Sequence, residues 1–126
     1  MVFFPVGACS LQKAREHLSR TSLAVEAGPD VLRVWFGDSP KYIVYFSDAS
    51  HVRIEAAEIG AGRPEEKAMH TFGARFEVVI TDLDKALDEI NTLMELQSAL
   101  QDASGGYLFL PWNGTLTKPW SAKNST

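Results

Sequence analysis

Between Val31 and Phe46 the chain carries two apolar runs, Val31-Leu32-Arg33-Val34-Trp35-Phe36 and Lys41-Tyr42-Ile43-Val44-Tyr45-Phe46, joined by Gly37-Asp38-Ser39-Pro40. Both are rich in β-branched and aromatic residues, which suit a pleated surface. A connection of four residues is too short for a crossover helix, so the two strands must be antiparallel neighbours. Leu23, Val25 and Ala27 alternate with other residues just upstream, and Gly28-Pro29-Asp30 is a turn, which extends the pair to a meander. Downstream, Ser47-Asp48-Ala49-Ser50 reads as another turn. His51-Val52-Arg53-Ile54-Glu55-Ala56 then reads as a further strand, with Val52, Ile54 and Ala56 inward. Tyr42, Val44 and Phe46 face one way while Ile43 and Tyr45 face the other, and Trp35 lies opposite Leu32, Val34 and Phe36. A sheet that is apolar on both faces needs helices on both sides or uses one face for binding.

Helical signals flank the meander. Ser10 precedes Leu11, Ala14 and Leu18, a cap followed by an apolar face at helical spacing, which predicts a helix over about residues 11–20. Pro64, followed by Glu65 and Glu66, can open a short helix over 64–71 that ends before Gly73. Arg75–Thr81 predicts a strand with Phe76, Val78 and Ile80 inward. Thr81-Asp82-Leu83-Asp84 has the form of a capping box, with Thr81 as the cap and Asp84 reaching back. Leu83, Leu87, Ile90, Leu93, Met94, Leu96 and Leu100 follow as a broad apolar stripe that predicts one long helix, about 82–103, stopped by Gly105-Gly106. Tyr107–Trp112 and Thr115–Trp120 flank Asn113-Gly114, the sequence of a tight type I′ hairpin turn. Pro111 and Pro119 cannot donate to a ladder and place that hairpin at a sheet edge. The expected architecture is a single α+β domain over residues 1–126: an antiparallel β-meander sheet packed with a short N-terminal helix and a long helix, a C-terminal hairpin, and a flexible tail at 122–126.

With 126 residues, 45% hydrophobic and 22% charged, the chain has the composition of one globular domain rather than of a fibrous or disulfide-built protein. No apolar run is long enough to span a bilayer. Val6-Gly7-Ala8-Cys9 loosely resembles a lipoprotein cleavage site, but no basic residue precedes it and Pro5 breaks the apolar stretch. Cys9 is the sole cysteine, so no internal disulfide forms, and the two sequons at Asn113 and Asn124 lack a secretory context. The expected compartment is the cytoplasm.

The chemistry-bearing residues do not assemble into a catalytic pattern. His17, His51 and His70 have no metal-ligand spacing, and no Cys-x-x-Cys occurs. Cys9 lies before a helix start, where a thiol is activated, but His17 is about two turns away. Gly60-Ala61-Gly62 lacks the rest of a phosphate loop. Asp38 and Asp48 are ordinary turn residues, and Asp82 and Asp84 serve a helix start. Nothing here implies a cofactor, a metal or an enzyme.

Two asymmetries remain. Residues 1–54 carry a net charge of +1, residues 55–102 carry −7, and residues 103–126 carry +2, within a total of −4. Asp84, Asp88, Glu89, Glu95 and Asp102 concentrate the acidity on the polar side of the long helix. Trp112 and Trp120 flank the edge hairpin, where tryptophan is a usual interface anchor. The acidic balance makes nucleic acid a poor partner and a basic protein a good one. Sequence thus predicts a protein-binding protein of the inhibitor or immunity type, neutralising a basic toxin or effector enzyme by masking its site. The order of elements and the charge over roughly residues 10–103 also resemble small acidic secretion chaperones of bacteria. That resemblance implies a homodimer holding an effector segment along an apolar surface, although the C-terminal hairpin departs from the plan. A small enzyme or a ligand-binding domain is the further alternative.

Overall fold

The computed structural model describes residues 1–38, 41–111 and 113–119. One seven-stranded sheet forms the frame, in the order β2-β3-β4-β5-β1-β6-β7, antiparallel at every pairing. Its strands are β1 (Val2–Phe4), β2 (Ala24–Gly28), β3 (Val31–Trp35), β4 (Tyr42–Ser47), β5 (Ala74–Ile80), β6 (Tyr107–Leu110) and β7 (Thr115–Thr117). The helices are α1 (Leu11–Leu18), α2 (Ser50–Gly60), α3 (Glu66–Met69), α4 (Leu83–Asp88) and α5 (Ile90–Ser104). The expected α+β class holds, and β2-β3-β4 is the expected meander. The Ser10 hydroxyl caps α1 by accepting from the Lys13 N–H at 3.2 Å.

Helices lie on both faces of the sheet. On one face α1, α4 and α5 close a core of Val2, Phe4, Leu32, Val34, Tyr42, Val44 and Phe76 from the sheet with Ala14, Leu18, Ala86, Leu93, Leu96 and Leu100 from the helices. On the other, α2 and α3 set Val52, Ala56 and Met69 against Phe3, with Phe72 beside them and Tyr107, Phe109 and Leu116 packed at the margin. Gly60 permits the close approach of α2 and α3, since a Cβ there would lie 2.6 Å from the Met69 Cβ.

Several expectations are corrected. Residues 51–56 belong to helix α2, not to a strand. Val52, Ala56 and Gly60 are spaced by four and all buried, while Ile54, which alternation placed inward, is 62% exposed. The segment 2–4, missed in the sequence, is β1, and it pairs with both β5 and β6. The long helix over 82–103 is two helices, broken at Glu89 (φ −116°, ψ 44°). The α4 cap is Asp82, whose carboxylate accepts from the Lys85 N–H at 3.2 Å; the Thr81 hydroxyl instead donates to the Lys41 carbonyl. α5 ends on Gly105 in the left-handed conformation (φ 67°), a position that favours glycine. The pairing of Leu110 with Thr115 leaves four residues in the hairpin loop, and Asn113 has no positive φ, so the turn is not the two-residue type I′ form. These changes also alter the order of elements behind the chaperone resemblance. The tail expected at 122–126 lies outside the described residues.

Candidate functional site

The apolar stripe read along residues 83–100 divides in three dimensions. Leu93, Leu96 and Leu100 enter the core, while Leu83, Leu87, Ile90 and Met94 stand out in solvent. Their exposures are 55%, 53%, 38% and 56%, large for apolar side chains of this size. The break at Glu89 parts α4, of which only Ala86 is buried, from α5, which carries the core leucines on one side and the exposed Ile90 and Met94 on another. Leu83 and Leu87 are one turn apart on α4, and Ile90 and Met94 are one turn apart on α5.

The expected acidic residues do not form one face. Asp84, Asp88 and Glu89 are exposed beside the protruding leucines. Glu95 is half-buried and accepts from the Ser22 hydroxyl at 3.0 Å, which ties it to the segment after α1. Asp102 is exposed, two turns along α5 from Glu95. The structure therefore brings three of the five acids to the exposed apolar residues and leaves the other two apart. Trp112 and Trp120 lie outside the described residues.

Ile90 and Met94 also form the lip of a groove between α5 and the β6–β7 hairpin, about 380 Å³ in volume. Its walls include Leu93, Leu108 and Leu110, and no charged side chain lines it. Gln97 lies in this groove and also in a neighbouring depression of about 210 Å³ beside Val78, Ile80 and Pro111. Gln97 is only 7% exposed, and its carboxamide makes no hydrogen bond to any described residue. Gln101, equally buried one turn on, donates instead to the Gly106 and Thr117 carbonyls at 3.2 and 3.0 Å and holds the hairpin to α5. Gln97 was missed in the sequence, although a polar residue four after Leu93 and three before Leu100 is its signature.

The residues weighed for chemistry stay dispersed. Cys9 is buried, and burial raises its thiol pKa, so the thiol is held in the unreactive protonated form. His51 and His70 are exposed and His17 is half-buried. Among the described residues, no three His, Cys, Asp or Glu side chains converge on a position for a metal ion. Asp48 borders an open depression of about 410 Å³ with Ser50 and Arg53 at the start of α2. No helix among the described residues is long and apolar enough to cross a membrane.

The second sheet face is covered only in part. Arg75 on β5 is tied to Glu55 of α2, with Glu77 at 3.8 Å on its other side, which pins α2 over β5. Towards β2 the same face carries Val31, Arg33, Trp35, Ile43 and Tyr45, none of them fully buried. Lys41 lies over the Trp35 ring at 4.7 Å and Arg33 faces Glu26 at 3.7 Å.

Comparison with protein-family models, with curated proteins and with solved structures finds no match.

Proposed function

We propose that this chain is a small protein-binding protein of the inhibitor or immunity type. It docks a basic partner on α4 and the first half of α5 and masks that partner's site. The observation that carries this reading is the set of four protruding apolar side chains, Leu83, Leu87, Ile90 and Met94, beside the exposed carboxylates of Asp84, Asp88 and Glu89. Apolar surface beside a predominance of one charge, here three acids against Lys85, has the form of a docking site: the apolar part supplies affinity and the charge steers the partner. A basic catalytic cleft that normally receives phosphates is attracted by the same acids.

Capture from source lysate tests this reading when run beside a Leu87→Ser/Met94→Ser variant and beside Asp84→Asn/Asp88→Asn. One basic protein should be retained by the parent, lost on the first variant, and weakened by high salt and by the second variant. Equal retention by all three proteins would place the contact elsewhere on the molecule.

The chaperone-like reading has one feature in its favour, the half-open sheet face around Trp35, Ile43 and Tyr45. It requires a stable homodimer, so light scattering at micromolar concentration separates the two readings.

A further inference from the structure

We infer that the sheet takes in the C-terminal segment of another polypeptide, which enters between β5 and β6 in line with β1 and sets its terminal carboxylate against the Met1 α-amine. Met1 exchanges two main-chain hydrogen bonds with Phe109: its amine donates to the Phe109 carbonyl at 3.0 Å, and its carbonyl accepts from the Phe109 N–H at 2.8 Å. Successive residues of a strand turn their main-chain groups to opposite sides, so Val2 turns to β5, where it pairs with Phe76. Val78 and Ile80 follow Phe76 at the same alternation on β5 and turn their N–H and C=O groups the same way. β1 has no residue there to meet them, although β5 runs on to Ile80 and β6 to Leu110. Those groups have no partner among the described residues. A depression of about 210 Å³ marks the place, lined by Met1, Glu77, Val78, Ile80, Gln97 and Pro111. This contact is separate from the apolar patch on α4 and α5 and does not depend on it.

The surroundings narrow the occupant. Val78 and Ile80 offer main-chain donors and acceptors at the repeat of a strand, which a peptide main chain matches. Met1 closes the inner end of the slot, so an incoming strand stops there. A strand antiparallel to β5, as β1 is, arrives at Met1 with its C-terminus; the opposite direction would bring a second amine against the first. In the antiparallel case the last residue donates its N–H to the Val78 carbonyl. Its carboxylate accepts from the Val78 N–H and from the Met1 amine, which keeps donors to spare after Phe109. Burial lowers the pKa of that amine to about 6; Glu77 opposes the shift, Arg75 adds to it and Glu55 opposes it. An arriving carboxylate raises the pKa again, so binding takes up a proton at neutral pH. The small volume suits about two residues of extended chain with small side chains, and not a helix about 10 Å across.

The test uses the full chain, ¹⁵N-labelled, and two probes: acetyl-Thr-Val-Thr-Val with a free carboxylate, and the same peptide amidated. At millimolar concentration the first should slow hydrogen exchange at the Val78 and Ile80 amides. Its affinity should rise roughly eightfold between about pH 7.5 and about pH 6.5, as the amine gains its proton at less cost. The amidated peptide should bind at least about tenfold more weakly and show no such trend. A chain extended by Gly-Ser-Gly ahead of Met1 should fill the slot itself, protect both amides and lose the peptide. If neither probe slows exchange at Val78 and Ile80, the inference falls. Equal binding of acid and amide would overturn the carboxylate's role and with it the direction of the strand. Full protection of both amides in the parent without peptide would show their bonds already made and would overturn the slot. Each of these failures leaves the α4–α5 docking reading standing, since the capture experiment tests that surface by itself.

Discussion

The Tyr42 hydroxyl is sealed in the core beneath α1, α4 and α5 with no hydrogen-bond partner among the described residues, and the residue is 1% exposed. Burial raises its pKa above the ordinary 10.0, and the negative charge of Glu89 adds to the effect. Above about pH 10 the phenol of an unfolded chain loses its proton while the folded one retains it, so stability falls as pH rises through that range. Tyr42→Phe removes both penalties. Urea unfolding should show it no less stable than the parent at neutral pH, by up to about 1 kcal/mol. Its advantage should widen at about pH 10.5. A loss of stability at neutral pH would instead reveal a partner for the hydroxyl.

Among the elements, α4 is the one whose construction separates stability from binding. Its only buried side chain is Ala86, and its start depends on the Asp82 carboxylate. Asp82→Ala should therefore cost about 1 kcal/mol. Thr81→Ala removes only an exposed bond to the Lys41 carbonyl and should cost well under that. Leu87→Ser should change stability by no more than about 0.5 kcal/mol, whereas Leu96→Ala, fully buried on α5, should cost about 2–5 kcal/mol. Chemical denaturation of the four variants checks the ordering; equal costs at Leu87 and Leu96 would mean that the protruding leucines are packed in the free protein.

The same elements show what a single sequence discloses. Ser10 and Gly105 mark helix ends by local chemistry, and both were legible. Val52 and Ala56 fit a period of two and a period of four equally, and the choice between strand and helix was decided by packing on Phe3 and Met69. Asp88-Glu89-Ile90 contains neither glycine nor proline, so nothing local announces the break. The five acids were legible as residues, but their partition depends on Ser22 reaching Glu95, a contact between positions far apart in the chain.

At the scale of the whole molecule, β1 is the tie that joins the meander to the hairpin. Val2 and Phe4 are fully buried, and Phe3 is fully buried on the opposite face, so three residues contribute to both cores. Without them β5 and β6 have no strand between them. Phe3→Ala should cost about 3–5 kcal/mol, and Phe4→Ala the same, although the two rings lie in different cores. Calorimetry should show both variants losing one cooperative transition rather than melting in two halves.

The position of β1 also sets a schedule. Val2 pairs with Phe76 on one side and with Leu108 on the other. During synthesis β1 is thus made before either of its neighbours, and it is flanked on both sides only once β6 has been translated. Nascent chains that carry only the meander can close β2, β3 and β4 locally, while Val2, Phe3 and Phe4 remain uncovered. Pairings of such long sequence separation slow folding, and an apolar strand left exposed for that interval is in need of shelter from aggregation.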